Sequence, residues 1–294
     1  MLDIPVPLDR KITTSKAKIT VIIAAYNEEE AIGQVVTGFK QELERSSYPF
    51  EILVVDNNSI DNTSNVAKTA GATVIKEKLQ GYGYACMKGL TEAQGEYIIL
   101  TEGDKTFEPS DIWKLLVYLQ EDDIDLALGT RTTLELVDEG AKMNWFLHWG
   151  NIFLAKMIQI QFWKRCRLTD VGCTFRAIKK SSLDKILSKI NVGGSTFSPA
   201  MIIFCLKAGL KTVEVPVRYR KRLGESKITA LLMSKLSKRF DIGTLNTVSC
   251  NRSIVFCFTS PQQPCNSLSE IPTTPSRHGA AQIRLPCPSY TSAR

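Results

Sequence analysis

From Lys18 to about Tyr219 the chain alternates short apolar runs with longer stretches of helical period. Ile19–Ala25 (ITVIIAA), Phe50–Val55, Ala72–Ile75, Tyr97–Leu100 and Asp125–Gly129 have the length and composition of buried strands. Between them, apolar residues return every three or four positions. Ala31, Ile32, Val35, Val36, Phe39 and Leu43 mark a helix within 28–45, and further helices are predicted at 61–70, 83–93 and 109–119. The last begins with Pro109, and proline is favoured in a first helical turn. Strands alternating with helices of this length predict βαβ units and a mainly parallel sheet, an α/β fold.

After Gly129 the rhythm changes. Residues 142–163 form a long amphipathic stretch holding Trp145, Trp149, Ile152, Phe153, Lys156 and Trp163. Core packing is its ordinary reading, and its mixture of Trp, Phe and Lys also suits a helix lying at a membrane interface. A strand is predicted at 171–178, helices at 181–190 and 198–208, and a strand at 212–219 that, given its internal Pro216, is an edge strand or ends early. Asn191–Ser195 (NVGGS) reads as a flexible turn, and His148 as a packed helix residue. Residues 1–17 read as a polar leader, 18–230 as the folded domain and 231–294 as a divergent, disordered tail. From about residue 241 periodicity is lost, and six of the twelve prolines fall between Pro261 and Pro288.

Composition narrows the classes. Charged residues make up 23% of 294, an ordinary globular share. The net charge of +7 is unevenly spread, with Arg218, Arg220, Lys221, Arg222 and Lys227 crowded together. Such a cluster suits phosphate ligands or an anionic surface; nucleic acid ranks lowest, because no nucleic-acid-binding motif accompanies it. Eight cysteines include no CxxC pair, which argues against a zinc site. The four before residue 210 read as free buried thiols, pointing to a reducing, cytoplasmic setting. The first residues lack a signal-peptide core, and no apolar run is long enough to span a bilayer.

The candidate chemistry sits at the strand ends. The first strand runs into Ala25-Tyr26-Asn27-Glu28-Glu29, the second into Asp56-Asn57-Asn58-Ser59-Ile60-Asp61, the fourth into Glu102-Gly103-Asp104. In open α/β sheets ligands bind at the carboxyl ends of the strands. Carboxylates held there need a cation, and a hard divalent metal shared with substrate phosphates meets that need. A dinucleotide-binding loop would place glycines after the first strand; acids stand there instead. Asp56 and Asp61 each have an ordinary alternative as helix caps.

The motifs AAYNEE (24–29), VVDNNSIDNT (54–63), QGYGYACMKGL (80–90), TEGDKTFEP (101–109), GTR (129–131), TDVGCTFRAI (169–178) and VRYRKRLGESK (217–227) resemble, in order and spacing, those of family 2 glycosyltransferases of the GT-A fold. The likeness is strongest to dolichol-phosphate mannosyltransferase and bacterial polyprenyl-phosphate glycosyltransferases, and it covers residues 18–229. It implies an inverting, metal-dependent transferase that moves a sugar from a nucleotide-diphospho-sugar to a polyprenyl or dolichyl phosphate.

By the same resemblance, Ala25, Tyr26, Glu28 and Asp56 contact the nucleotide, while Glu102 and Asp104 hold Mg²⁺ or Mn²⁺. Arg131 lies near the sugar or acceptor phosphate, Asp170 lies in the acceptor-side motif, and Arg218, Arg222 and Lys227 close over the diphosphate. Glu102 stands where the family usually has Asp, and Thr106 where it commonly has Gln. The implied partners are the donor, a lipid-phosphate acceptor and a peripheral membrane contact, and the resemblance also allows a separate membrane subunit. Two alternatives stand beside this reading. One is transfer to a sugar hydroxyl, with Asp170 as general base; the other is a non-catalytic nucleotide-sugar binder.

Overall fold

The computed structural model describes residues 18–141, 145–163 and 165–224, with 145–147 described by backbone alone. The chain runs β1 (Ile19–Ala25), α1 (Ile32–Glu44), β2 (Phe50–Asp56), α2 (Thr63–Thr69), β3 (Thr73–Lys76), α3 (Tyr82–Glu92), β4 (Tyr97–Glu102), α4 (Ile112–Glu121) and β5 (Leu126–Thr130). It continues through α5 (Trp145–Gln161), β6 (Arg176–Lys179), α6 (Lys180–Leu183), α7 (Phe197–Lys207) and β7 (Thr212–Pro216). The seven strands form one sheet in the order β3-β2-β1-β4-β6-β5-β7. β6 pairs antiparallel to β4 and β5, and every other pairing is parallel.

Period two along the strands divides the core. Ile22, Leu100, Leu128 and Ile178 face α3, α5 and α7, while Val21, Ile23, Val54 and Ile99 face α1, α2 and α4. Covered on both faces, β1 is buried over its whole length, as parallel sheets require. Cys86, Cys166, Cys173 and Cys205 are free and buried.

Three expectations need correction. The strand foreseen at 171–178 begins only at Arg176, because the preceding residues form a loop around two buried side chains. Arg176 donates to the carbonyls of Cys173 (2.8 Å), Ser198 (2.6 Å) and Val171 (3.0 Å), while Asp170 accepts from the N–H groups of Gly172 and Cys173, each 3.0 Å away. The helix foreseen at 181–190 is one turn, α6, followed by a short 3₁₀ segment at Leu187–Lys189. Within the segment 191–195, Val192 and Gly193 pack against α3, while Asn191, Gly194 and Ser195 are exposed. Tyr84 N–H donates to the Gly193 carbonyl at 3.2 Å, and a Cβ on Gly83 would lie 2.1 Å from the Val192 oxygen. Pro216 does end β7, at the sheet edge as expected. His148 stacks edge-on against Trp149. The leader, the tail and Lys227 lie outside the described residues.

Candidate active site

Strand register assembles the acidic edge. Ala25 stands opposite Asp56 on one side, and its neighbour Ala24 stands opposite Glu102 on the other. The backbone prolongs both pairings: Asn57 N–H donates to the Ala25 carbonyl (2.9 Å) and Gly103 N–H to the Ala24 carbonyl (3.1 Å). Just beyond the three strands, Asn27, Asn58 and Lys105 have φ of 52°, 65° and 64°. A left-handed residue at each exit turns the chain sharply, and asparagine tolerates that conformation better than most. Asn27 is fixed there by Ser59 Oγ, which accepts its N–H at 3.0 Å, and by Ile60 N–H, which donates to its side-chain oxygen at 2.9 Å.

The predicted nucleotide residues follow from this frame. Tyr26 lies half-buried just after β1, and Glu28 is buried, with its N–H on Thr63 Oγ1 at 2.8 Å. Asp56, also buried, accepts Ser59 N–H at 2.9 Å and the Ser64 hydroxyl, so its carboxylate holds the turn in shape. Asp61 accepts Thr63 N–H (3.0 Å) and Glu29 N–H (3.2 Å), tying the first two exits together as well as serving the start of α2. Asn57 adds a link that the sequence did not single out. Its amide donates to the Leu79 carbonyl and accepts Gly81 N–H, both at 2.7 Å, which fixes the entry to α3.

Glu102 is the last residue of β4, and Asp104 follows in the turn. Asp104 is buried and oriented by Thr106, whose N–H (3.1 Å) and hydroxyl (2.7 Å) both reach Oδ1. Burial, and then the charge of Asp104, push the Glu102 carboxyl up to about 8, against the pull of Arg222 and Arg131. A carboxyl group whose charge is disfavoured beside a second acid fits a divalent cation, bound through one or two carboxylates together with substrate phosphates. Among the described residues no group of three or more His, Cys, Asp or Glu side chains is arranged to hold a metal by itself.

The basic segment lies directly over these acids. Arg220 N–H donates to the Thr106 carbonyl (2.8 Å) and Leu223 N–H to the Asp104 carbonyl (3.1 Å). Arg222 pairs with Glu28 and, at 3.2 Å, with Asp104. Its buried Nε has no hydrogen-bond partner, a donor left for an anion such as a phosphate oxygen. Arg218 is not brought into this cluster: it is exposed, and its N–H caps the Asp111 carboxylate at 2.5 Å. Arg220 instead pairs with Glu108.

Arg131 and Asp170 form a second group beyond β5. Arg131 Nε and Nη2 grip Asp170 at 2.8 and 2.9 Å, and its guanidinium lies 5.2 Å from the centre of the Tyr219 ring. Asp170 also accepts from Arg131 N–H (3.1 Å) and Asn151 Nδ2 (2.6 Å), besides Gly172 and Cys173. Burial works against its charge, but Arg131 and these hydrogen bonds prevail and lower its pKa. A carboxylate so committed is a poor proton acceptor. This weighs against the general base that the sugar-hydroxyl alternative would need, and the contacts of Asp170 are those of a residue that holds Arg131 in place.

Two further supports went unnoticed in the sequence. Asn151, the polar exception on the inward face of α5, also accepts Gly172 N–H at 3.0 Å. Glu214 on β7 accepts both Thr169 and Asp170 N–H at 2.8 Å. A lone acid within the edge run TVEVP was the available signal.

Comparison with known proteins decides the family. The profile of glycosyl transferase family 2 matches residues 20–187. The chain belongs to glycosyl transferase family 2. It is 28% identical over 213 residues to the low-salt glycan biosynthesis hexosyltransferase Agl6 of Haloferax volcanii, covering 71% of this chain and 49% of Agl6, so it spans about half that relative's length. It is 29% identical over 211 residues to the dolichyl-phosphate hexose transferase of the same organism, covering 71% of this chain and 86% of the relative. Among solved structures it resembles glucosyl-3-phosphoglycerate synthase from Mycobacterium tuberculosis in complex with Mn²⁺, UDP-glucose and phosphoglyceric acid. The TM-score is 0.57 at 18% identity, covering 74% of this chain and 76% of the other. The fold of this family 2 chain is thus GT-A.

Proposed function

We propose that this family 2 glycosyltransferase moves a hexose, with inversion, from a nucleotide-diphospho-sugar to a polyprenyl or dolichyl phosphate at a membrane surface. The transferase domain would extend over residues 18–230, with the acceptor membrane and a membrane subunit as its partners.

The observation that carries the acceptor assignment is the state of Asp170. Transfer to a sugar hydroxyl calls for a base at the acceptor, and the carboxylate best placed to be one is locked onto Arg131 with a lowered pKa. A phosphate monoester has its second pKa near about 6, so it is largely dianionic at neutral pH and needs no such help. Arg131 supplies the positive charge such an acceptor requires. The dolichyl-phosphate hexose transferase of Haloferax volcanii supports the same class of acceptor.

On the donor side, Tyr26, Glu28 and Asp56 shape the nucleotide end of the site, and Glu102 with Asp104 would hold Mg²⁺ or Mn²⁺. When bound, the cation acts as a Lewis acid on the departing diphosphate. Arg222, with Lys227 from the same basic segment, stabilises the charge that develops as the glycosidic bond breaks. One displacement by the acceptor phosphate oxygen, from the side opposite the leaving diphosphate, inverts the anomeric carbon.

The test is transfer of radiolabelled sugar from UDP- and GDP-sugars, with Mg²⁺ or Mn²⁺, to dolichyl phosphate, polyprenyl phosphate or free glycans. A metal-dependent lipid-phosphate sugar is expected. Product only on glycan hydroxyls would overturn the acceptor assignment. Donor binding without transfer to any acceptor would leave a nucleotide-sugar binder.

A further inference from the structure

Helix α5 is apolar almost all round, yet the described residues cover only about half of it. At about 100° per residue, Asn151, Ala155, Ile158 and Phe162 fall on the inward side, where Ala155 and Ile158 are fully packed. The opposite side carries Trp149, Phe153, Met157, Ile160 and Trp163. Phe153 and Trp163 are each 68% exposed, Ile160 65% and Trp149 54%. A stripe of large apolar side chains running the length of a 17-residue helix exceeds the scattered exposed residues normal on a soluble surface.

We infer that this outer face of α5 docks flat onto a bilayer of anionic lipid. The inference deepens the lipid-phosphate reading, on which its biological purpose rests. Three observations favour a bilayer as the occupant. Tryptophans stand at both ends of the stripe, and this side chain prefers the boundary between headgroups and acyl chains. From Trp145 to Thr169 the sequence contains no Asp or Glu but includes Lys156, Lys164, Arg165 and Arg167, a charge pattern complementary to anionic headgroups. No described helix is long and apolar enough to cross a membrane, so α5 would lie on the surface.

The placement has a consequence for the site. Asn151, on the inward side, holds Asp170 and through it Arg131. A bilayer on the outer face would therefore lie about one helix diameter, ~10 Å, from that pair, within reach of a lipid-borne phosphate.

The test uses the full chain and vesicles of phosphatidylcholine with or without phosphatidylserine. Neither vesicle contains polyprenyl phosphate or sugar donor, so the result is separate from the transfer reaction. The chain is expected to co-float with phosphatidylserine vesicles, less so at high salt. The double variant Phe153→Glu/Ile160→Glu should bind about tenfold more weakly or worse, while keeping the wild-type thermal shift with UDP-sugar and Mn²⁺. Should that variant fold poorly, Trp163→Ser provides the same comparison through one exposed side chain. The inference is overturned if the wild type binds neither vesicle, if folded variants float as well as wild type, or if the stripe proves instead to mediate a dimer that Phe153→Glu dissociates.

Discussion

Arg222 sets its Nη1 3.2 Å from Oδ2 of Asp104 and pairs at the same time with Glu28. A cation supplied by the chain itself thus lies at the acidic strand end that the proposed metal and diphosphate would use. Replacing it by methionine, Arg222→Met, leaves Glu28, Glu102 and Asp104 facing one another. The ligand-free protein should lose roughly 1–3 kcal/mol of stability, and Mn²⁺ alone should bind more tightly, because its competitor is gone. Donor turnover should nevertheless fall, since the unpartnered Nε no longer reaches a phosphate. Calorimetric Mn²⁺ titration of both proteins checks this; equal affinities would mean that Arg222 does not compete for the site.

Thr106 gives Asp104 its orientation through two hydrogen bonds to Oδ1. Thr106→Val preserves shape and the backbone bond but removes the hydroxyl. Partners of this kind typically support metal affinity by about tenfold or more, so Mn²⁺ binding should weaken by that order, and Thr106→Ser should restore most of it. Both variants losing affinity equally would assign the effect to packing.

The Arg131–Asp170 pair predicts a pH dependence. The folded-state pKa of Asp170 is lowered, so its contribution to stability is fully present above the ordinary carboxylate value of about 3.9. It is lost as pH falls through the lowered folded value. Asp170→Asn, which leaves Arg131 buried without its counter-charge, should cost roughly 3–5 kcal/mol at neutral pH. Its deficit in Tm relative to wild type should narrow as pH drops below about 4. A deficit constant from pH 7 to pH 3 would show that the carboxylate charge is not what holds the site.

The acidic edge was legible because it depends on strand ends. Apolar runs locate β1, β2 and β4, and parallel register then carries Ala25, Asp56 and Glu102 to one side. Side chains that bond to distant backbone left no such trace. Residues 171–175 have strand-like composition, and only the folded chain shows Arg176 and Asp170 drawing them into a loop. The α5 stripe was ambiguous for a related reason: periodicity shows that a helix has two faces, but not whether the second is covered. Family likeness pointed to Asp170 without its state of charge, which depends on Arg131 and Asn151 from two other elements.

Glu214 offers the sharpest separation of positioning from contact. It lies on the edge strand β7 and accepts Thr169 N–H, Asp170 N–H and the Thr169 hydroxyl, each at 2.8 Å. It thereby fixes the turn that presents Asp170 to Arg131. Glu214→Leu strands two backbone donors, at about 1–3 kcal/mol each where they remain buried, and should let Arg131 wander. Glu214→Gln keeps one acceptor oxygen for the backbone and should retain most of the stability. If Arg131 binds the acceptor, the leucine variant should raise the KM for lipid phosphate several-fold while leaving that for the nucleotide-sugar near wild type, and glutamine should rescue it. A parallel rise in both KM values would instead mean that the two groups of residues form one site, held together by the edge strand.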